Sequence, residues 1–340
     1  MDPDNNTVPA TITDPDPNRM RCYRLSAPLR RAVAEYLSLS RGVRCSAEQT
    51  LIVSGVQEAL DIAARLMLEP GDHVCMENPG YTGAAMVFEA FGAKVQNVSL
   101  DEQGIEVDQL PKCNVQMVYV TPGHQFPVGT TMSLARRLAL LEWARRSGAL
   151  IFEDDYDSEY RYTGRPVPAL QGLDRSGAVL YAGTFSKVLF PSLRLGYMVV
   201  PEALVERIEA IKSITSRHAP LLEQAVLHAF IAGGHFGRHI RQMRAVYSER
   251  LGLLMDEAHR KLEGRLTITG VEAGLQTVGW LAEGMDGESA AAAAAKRDVE
   301  VTPPSRYFPR RERYPNPRAT PATIIGSGDR KRSKPFTSNF

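Results

Sequence analysis

The fold of this chain is decided by the stretch Val179-Leu180-Tyr181-Ala182-Gly183-Thr184-Phe185-Ser186-Lys187. Its first five residues are mostly apolar and end in glycine, which is typical of a buried strand. Lys187 follows almost at once. A lysine at the point where a parallel strand enters its loop can lose its hydration and react as a neutral amine, the form that makes a Schiff base. Because most lysines are solvated surface charges, the interpretation of Lys187 depends on its neighbours.

The composition is that of a globular protein with room for two domains. The 340 residues are 44% hydrophobic and 23% charged, and the net charge of +1 gives no general attraction to nucleic acid or to a membrane. Four widely spaced cysteines without a C-x-x-C pair argue against a metal site or disulfides, and favour a reduced, cytoplasmic location. We expect no membrane partner, because no apolar run is long enough to span a bilayer and the N-terminus lacks the apolar core of a signal peptide.

Helical and extended patterns alternate along the first two thirds of the chain, which predicts an α/β fold with a largely parallel sheet. The predicted strands are 73–76, 94–98, 115–120, 150–152 and 179–183. The predicted helices among them are 57–68, 84–91 and one that Ser133 caps and that extends to about Arg146. Long helices then follow at about 202–216, 221–232 and 236–262. Strands at 266–268 and 275–281 predict a smaller second domain, and the alanine run 290–295 predicts a further helix.

The two ends of the chain differ from its body. Residues 1–20 lack apolar periodicity and are predicted to be disordered. From Pro303 to Phe340 there are seven prolines and nine Lys or Arg residues against two acids, so 309–340 is interpreted as a basic, proline-rich disordered tail. Nucleic-acid contact is the alternative, but no binding motif supports it. Between these ends we assign 21–45 to an N-terminal arm and helix, 46–205 to a large domain and 206–308 to an interdomain helix with a small domain.

Two groups of polar residues lie where ligands bind in such folds. Ser54-Gly55-Val56-Gln57 stands at a loop-to-helix junction, where free backbone N–H groups and the helix dipole suit a phosphate; a simple helix cap is the alternative. Glu153-Asp154-Asp155-Tyr156-Asp157 follows the strand 150–152, at the edge where open α/β sheets place ligands. Several carboxylates close together repel one another unless a positive group lies opposite them, which favours a binding site. The alternative is that these residues are solvated acids of a loop.

Two turns add further candidates. Asn78-Pro79-Gly80-Tyr81 delivers an aromatic ring that can pack in the core or stack on a planar ligand. The segment 121–129 carries His124, which alone is more often structural than catalytic. Taken with Lys187 and Arg194, these groups match the needs of pyridoxal 5′-phosphate (PLP), which requires a Schiff-base lysine, an acid at its pyridinium nitrogen, a phosphate anchor and a stacking ring.

A family resemblance covers about residues 30–308. It is carried by the words SGVQEALDIAARLMLEPGD, ENPGY, YVTPGHQFPVGTTMSLARRLALLEWA, FEDDYDSEYRYTGRPVPALQGLD, GTFSKVLFPSLRLGYMVVP and RHAPLLEQAVLHAFIAGGHFGRHIRQMR. The chain resembles fold-type-I PLP-dependent aminotransferases and, more narrowly, the aminotransferase-like domain of MocR-type regulators of the GntR family. The resemblance implies a large domain with a mostly parallel central sheet and a smaller C-terminal α+β domain, here incomplete, in a homodimer.

The resemblance also implies a role for each matched residue. Lys187 would bind PLP covalently, Asp154 would pair with the pyridinium nitrogen, Tyr156 would bond the phenolic oxygen and Tyr81 would stack on the ring. The other expected cofactor-binding residues are Ser54, Gly55, Val56, Gln57, Thr184, Ser186 and Arg194 around the phosphate, with Arg194 as its charge partner, and His124 and Gln125 beside the ring. Arg306 is the candidate for the substrate carboxylate. No metal is expected.

The sequence departs from this family in three places. We expect no DNA-binding domain in this chain, because it has no room for the winged helix that begins the regulators. Val56 stands where a hydroxyl residue is common, which costs one phosphate hydrogen bond of roughly 1.5–3 kcal/mol. Residues 309–340 replace the apolar strand and helix that complete the small domain, as a divergent or frame-shifted terminus would.

Three functions stay open at this point. The first is an active transaminase that moves an amino group between an amino acid and a keto acid. The second is a sensor domain that binds PLP and an amine with weak or no turnover, as part of a regulator. The third is an inactive remnant that cannot complete its small domain or its dimer. Nothing in the motifs identifies the substrate side chain.

Overall fold

Eight strands form one sheet in the computed structural model of the chain, which describes residues 17–164, 167–268, 272–307 and 321–326. The strands are β1 (Thr50–Val53), β2 (His73–Asn78), β3 (Lys94–Asp101), β4 (Gly104–Ile105), β5 (Met117–Val120), β6 (Leu150–Asp155), β7 (Val179–Thr184) and β8 (Gly196–Val199). Their order in the sheet is β1-β8-β7-β6-β5-β2-β3-β4. The five consecutive strands from β7 to β3 are parallel, and β1, β8 and β4 pair antiparallel at the two edges. The prediction of an α/β fold with a mostly parallel sheet is therefore confirmed.

The helices cover both faces of this sheet. They are α1 (Pro17–Arg41), α2 (Val56–Met67), α3 (Thr82–Ala90), α4 (Leu134–Ser147), α5 (Leu170–Leu173), α6 (Phe185–Val188), α7 (Val205–Thr215), α8 (Leu221–Ala232), α9 (His235–Leu262) and α10 (Gly287–Ala295). Ser133 caps α4 as predicted, since its Oγ accepts a hydrogen bond from the backbone N–H of Arg136 at 3.2 Å. Residues 17–20, predicted to be disordered, belong to α1, and residues 1–16 lie outside the described part of the chain.

The core consists of apolar layers on the two sides of the sheet. Every residue of β5 and β7 is buried, which explains why these strands are continuous apolar runs in the sequence. On one side, Leu60 of α2 and Phe88 of α3 join Phe152 of β6 in a single cluster. On the other side, Leu140 of α4 packs with the neighbouring β6 residue, Ile151. Alternate residues of one strand thus serve opposite faces.

A second, antiparallel sheet follows α9. It contains β9 (Leu266–Ile268), β10 (Gln276–Leu281) and β11 (Pro321–Gly326), in the order β11-β10-β9. The first two strands agree with the predicted small domain. The third lies inside the predicted disordered tail, so that prediction is wrong for residues 321–326: their β-branched run pairs with β10. The rest of the tail lies outside the described residues.

Parallel pairing brings four strand ends to one edge of the large sheet. β2 ends at Asn78, β5 at Val120, β6 at Asp155 and β7 at Thr184, and the polar motifs of the sequence stand at or just after these ends. β6 is longer than predicted, so Glu153, Asp154 and Asp155 are strand residues and not loop residues. No described helix is both long enough and apolar enough to cross a membrane.

Candidate active site

Asp154 is the acid at the centre of this edge. It is 5% exposed, and its Oδ2 accepts the phenolic hydrogen of Tyr119 at 2.7 Å. Its Oδ1 is buried and has no hydrogen-bond partner within the described part of the chain. Burial raises the pKa of Asp154 to about 7, although the Tyr119 hydrogen bond and the nearby Lys187 charge oppose this shift. A buried carboxyl oxygen without a partner is a position suited to a cationic N–H donor.

Lys187 stands on the single turn of α6, directly after β7. The turn is fixed by the buried side chains of Phe185 and Val188 and by Thr184, whose Oγ1 accepts a hydrogen bond from the Ser186 N–H at 3.1 Å. The Lys187 side chain itself is exposed. The expectation of a desolvated lysine is therefore not met, because α6 is a short turn at the open edge of the sheet. The lysine is nevertheless close enough to Asp154 for its charge to lower the pKa of that carboxyl.

The N-terminus of α2 offers backbone donors beside this lysine. Gly55 is the N-cap and adopts φ 141°, and Val56 and Gln57 follow in the first turn. A Cβ on Gly196, the β8 partner of Thr184, would lie 3.1 Å from the Gly55 Cα. The close approach of these two glycines therefore places the helix terminus next to the end of β7.

Ser54 makes contacts that the sequence analysis did not anticipate. Its N–H and its Oγ both donate to Glu58 Oε2 at 2.6 Å, and Glu58 in turn forms an ion pair with Lys212 at 2.6 Å. Burial favours the neutral form of Glu58, but Lys212 and the hydroxyl donors outweigh it and hold its pKa at about 2. Ser54 is thus engaged with the first turn of α2 in the structure, and the free donors there belong to the residues after it.

Arg194 lies at the end of the short 3-10 helix Pro191–Leu193, two residues before β8. It is exposed and adopts a left-handed backbone conformation with φ 50°, which is uncommon for a residue other than glycine. Because Gly196 is paired with Thr184, this conformation keeps Arg194 near the end of β7. The sequence prediction of an arginine beside the lysine turn is compatible with this position.

Tyr81 provides an aromatic ring at the same edge. Its hydroxyl accepts a hydrogen bond from Gln57 Nε2 at 2.8 Å, which joins the turn after β2 to the α2 terminus. The ring is half-buried and stands edge-on to Phe126, with ring centroids 5.6 Å apart. The aromatic surface that the sequence predicted after β2 is therefore adjacent to the candidate phosphate donors.

The half-buried Tyr156 and the buried His124 and Asp157 form one group beside Asp154. The Nδ1 atom of His124 lies 3.0 Å from Asp157 Oδ2 and also 3.0 Å from the Tyr156 hydroxyl. Burial and the surrounding acids raise the pKa of Tyr156 far above its ordinary value. Two residues of the small domain complete the group: Leu275 donates its N–H to Asp157 at 2.9 Å, and Gln276 Nε2 donates to the Tyr156 oxygen at 3.3 Å.

Gln125 connects two strand-end turns. Its Nε2 donates to Glu77 Oε2 at 3.3 Å and to the Pro79 carbonyl at 2.9 Å. The same Glu77 oxygen accepts from the N–H and the hydroxyl of Thr121 at 3.1 and 2.7 Å. Burial raises the pKa of Glu77 to about 7. These bonds hold the Gln125 side chain between the two turns, and its predicted contact with the cofactor ring stays a prediction.

The remaining acids of the motif are buried and paired, so the alternative of solvated loop acids is wrong. Both oxygens of Glu153 accept N–H groups of α5, from Leu170 at 2.7 Å and Gln171 at 2.8 Å. Asp155 forms a buried ion pair with Arg41 at 2.8 Å. Burial opposes ionisation of Asp155, but the Arg41 guanidinium outweighs it and holds the pKa below its usual value.

Arg306 lies in a short element that contacts the turn before Tyr81. It is an exposed residue of the 3-10 helix Pro304–Tyr307. The neighbouring Tyr307 fixes this helix to the site, since its carbonyl accepts the Gly80 N–H at 3.4 Å and its ring stands edge-on to Phe126 at 5.1 Å. No group of three or more His, Cys, Asp or Glu residues suited to a metal ion occurs in the described ranges.

Four residues of the site were not predicted from the sequence: Tyr119, Glu77, Asp157 and Gln276. Tyr119 and Glu77 carried one available signal, since each lies near the C-terminal end of a predicted parallel strand, where ligands and their supporting groups gather. Asp157 was noted only as one acid of a run, and no motif in the sequence around Gln276 indicates a role in the site.

Comparison with known proteins identifies the family of the chain. The family model for aminotransferase class I and II matches residues 13–306. The chain belongs to this family. It is 44% identical over 280 residues to the probable rhizopine catabolism regulatory protein MocR of Rhizobium meliloti, which covers 82% of this chain and 57% of that protein. It is 31% identical over 290 residues to the 2-aminoadipate transaminase of Thermus thermophilus, which covers 83% of this chain and 71% of that enzyme.

Solved aminotransferases share its structure. The kynurenine aminotransferase of Pyrococcus horikoshii, solved with PMP, superposes with a TM-score of 0.78 at 29% identity, over 91% of this chain and 80% of that one. The chain spans 53–60% of the length of three matched regulators from Rhizobium meliloti and Bacillus subtilis. Both kinds of relative, enzymes and regulators, thus contain the aminotransferase domain.

Pyridoxal 5′-phosphate is the cofactor of this aminotransferase domain. The residues present fit it on three observations. The unpartnered Oδ1 of Asp154 is suited to a pyridinium N–H, the amides that begin α2 are suited to a phosphate, and the half-buried Tyr81 ring is suited to a planar partner. Lys187 lies within electrostatic range of Asp154, at the same edge of the sheet.

Proposed function

We propose that the chain is an aminotransferase domain that moves an amino group between an amino acid and a keto acid, with Lys187 as the residue that binds PLP covalently. The observation that carries this proposal is the buried Asp154 oxygen without a partner, next to Lys187 in a chain of the aminotransferase family. A buried acid with a raised pKa is costly to the free protein. A ligand that supplies the missing N–H donor would offset this cost.

Each residue of the site has a distinct task in this proposal. When bound, PLP draws electrons from the Cα–H bond of an attached amino acid. Asp154 holds the proton on the pyridinium nitrogen, and Tyr156 donates to the phenolic oxygen. The amine of Lys187, exposed at the edge of the sheet, would hold the cofactor and would accept and return the Cα proton of a bound amino acid.

The phosphate and the substrate carboxylate have their own ligands in the proposal. The amides of Gly55, Val56 and Gln57 and the guanidinium of Arg194 hold the phosphate, with Thr184 and Ser186 beside them. The hydroxyl of Ser186 is buried and has no partner among the described residues, which leaves it available as a donor. Arg306 is assigned to the substrate carboxylate, since its helix is fixed to the turn before Tyr81.

A second candidate function is supported by the 44% identity to the MocR regulator. In this role the domain binds PLP and an amine as the ligand of a longer regulator, with weak or no turnover. The same residues serve both functions as far as binding of the amine. The two functions differ only in whether the Cα proton of the bound amine is then transferred.

One preparation separates the two functions. Purified protein mixed with PLP should show the visible absorbance of a lysine-bound cofactor, and Lys187→Ala should abolish it. Lys94→Ala is the matched control, because Lys94 is an exposed lysine at the start of β3, the opposite end of a parallel strand from the site. With amino acids added, steady conversion to the pyridoxamine form supports the aminotransferase, and a bound complex that does not convert supports the sensor.

The assembly state is part of the same test. We propose a homodimer, as the family resemblance implies, and sedimentation of the PLP-bound protein would measure it. Absence of a visible band, together with a monomer, would reject both functions and support the inactive remnant.

A further inference from the structure

Three consecutive residues, Gly274, Leu275 and Gln276, lead into β10 and make direct contact with the loop after β6. Gly274 donates its N–H to the Tyr160 carbonyl at 2.8 Å, and its own carbonyl accepts the Tyr162 hydroxyl at 2.7 Å. Leu275 donates to Asp157, and Gln276 donates to Tyr156, as described above. Four hydrogen bonds thus join the small domain to this loop, and two of them, to Asp157 and Tyr156, reach the group around His124.

Glycine is required at position 274 for two reasons. Its φ of +96° lies in a region that other residues rarely adopt. A Cβ at this position would also collide with the imidazole ring of His124. The small-domain backbone therefore packs directly on His124, which is 4% exposed.

The hydrogen-bond partners of His124 determine where its proton lies. Asp157 Oδ2 accepts from the Leu275 N–H and faces His124 Nδ1 at 3.0 Å. An ionised carboxylate can only accept hydrogen bonds, so opposite an ionised Asp157 the Nδ1 atom carries a proton. This holds for the neutral Nδ1–H tautomer and for the imidazolium alike.

The proton on His124 in turn sets the direction of the Tyr156 hydroxyl. Tyr156 cannot donate to a nitrogen that already carries a proton, so its oxygen can only accept there, sharing the single Nδ1 hydrogen of His124 with Asp157 Oδ2 in a three-centre hydrogen bond at 3.0 Å to each oxygen. Gln276 Nε2 is a second donor to the same oxygen at 3.3 Å. With both lone pairs engaged, the phenolic hydrogen of Tyr156 is left to donate to a third group.

We propose that Asp157 and His124 are positioning residues that direct the Tyr156 hydroxyl hydrogen toward the cofactor, and that Gln276 makes this alignment depend on the place of the small domain. The proposal rests on the proposed function, because the third group is the phenolic oxygen of PLP. The aspartate acts through the histidine, and neither residue needs to touch the reacting atoms.

The first test uses the protein without PLP and is therefore independent of the proposed function. The protein is labelled with ¹⁵N-histidine, and the His124 signals are assigned by their absence in His124→Gln. We expect Nδ1 of His124 to show the chemical shift of a protonated nitrogen at pH 7 to 8. An Nδ1 without a proton, with the hydrogen on Nε2 alone, would overturn the proposal, whether or not the protein binds PLP.

The second test measures the pH midpoint of the visible cofactor band. Loss of the Tyr156 donor to the phenolic oxygen should raise this midpoint by about one pH unit, the equivalent of one hydrogen bond to a charged acceptor. Tyr156→Phe defines the full shift. Asp157→Asn should reproduce most of it, and Gln276→Leu, a milder change at the start of β10, should give a smaller shift in the same direction.

The groups around Tyr156 restrict how these shifts can be interpreted. The ionisable groups that face it are Asp154, Asp157, Glu77 and His124. Asp157→Asn also removes a negative charge, which by itself lowers the midpoint, so a rise reports the lost alignment and not the lost charge. If Tyr156→Phe raises the midpoint and both Asp157→Asn and Gln276→Leu leave it unchanged, the proposal fails while the proposed function stands. If no visible band forms at all, the proposed function fails, and the NMR result alone decides the proton position.

Discussion

Replacement of Asp154 by asparagine should remove a cost that the PLP-free protein carries at neutral pH. The folded protein keeps the Asp154 proton up to a pKa of about 7, whereas the unfolded chain loses it near 3.8. Between these values unfolding releases a proton, so the free energy of unfolding falls as the pH rises. The asparagine side chain does not titrate, and its amide oxygen can still accept the Tyr119 hydroxyl.

The size of this cost depends on how much of the pH range between the two pKa values is crossed. One pH unit well inside this window corresponds to about 1.4 kcal/mol per proton, and the slope falls by half at pH 7, where the folded carboxyl is half deprotonated; Asp154 alone therefore lowers the free energy of unfolding by about 2 kcal/mol between pH 5 and pH 7. Glu77, Glu153 and Glu159 are shifted in the same direction by burial. The contribution of Asp154 is therefore obtained only from the difference in free energy of unfolding between wild type and Asp154→Asn.

Urea unfolding of both proteins without PLP, at pH 5, 6, 7 and 8, measures that difference. From pH 5 to pH 7 we expect the free energy of unfolding of Asp154→Asn to rise by about 2 kcal/mol relative to that of wild type. We also expect the variant to lose the visible cofactor band. Asp108→Asn, which removes an exposed carboxyl from the surface, controls for the loss of a titratable group. A difference that stays constant across this range would refute the argument that a buried, partly unpartnered acid awaits a cationic ligand.

Two further predictions concern the scaffold, and urea unfolding measures both. Arg41→Met should lower the free energy of unfolding by about 3–5 kcal/mol, because it leaves Asp155 buried without its cation; a loss below about 1 kcal/mol would contradict this. Gly172→Ala should lower the free energy of unfolding by about 1–3 kcal/mol, because the added Cβ would collide with the Gly42 carbonyl. Gly252→Ala should raise it by about 0.5–1 kcal/mol, because Gly252 lies inside α9 with open space around it. Equal effects of the two glycine substitutions would contradict this account of the packing.

The central strands could be predicted from the sequence because burial on both faces leaves a continuous apolar run, as in β7. β8 was missed for a physical reason. It is four residues long and antiparallel to β7. The direction and the pairing of a strand cannot be read from a single short apolar segment. β11 was missed because its short run of β-branched residues lies between prolines and charges that are typical of disorder.

In the candidate site, contacts between residues close in the sequence could be predicted, and contacts between distant residues could not. The contact between Ser54 and Glu58 spans four residues and has a sequence signature, an acid in the first turn of a helix that reaches back to a residue before it. In contrast, Thr121 reaches Glu77 across 44 positions, and Leu275 reaches Asp157 across 118. These pairs exist only after the strand ends have converged, so no local pattern could reveal them.

The most direct test of the central claim, that Lys187 holds PLP in this site, is reduction of the PLP-treated protein with borohydride followed by peptide mass spectrometry. Reduction turns the lysine–cofactor link into a stable amine. We predict the pyridoxyl mass on the peptide that contains Lys187, and its loss when Asp154→Asn weakens cofactor binding. A label spread over exposed lysines such as Lys94, or confined to a residue other than Lys187, would contradict it.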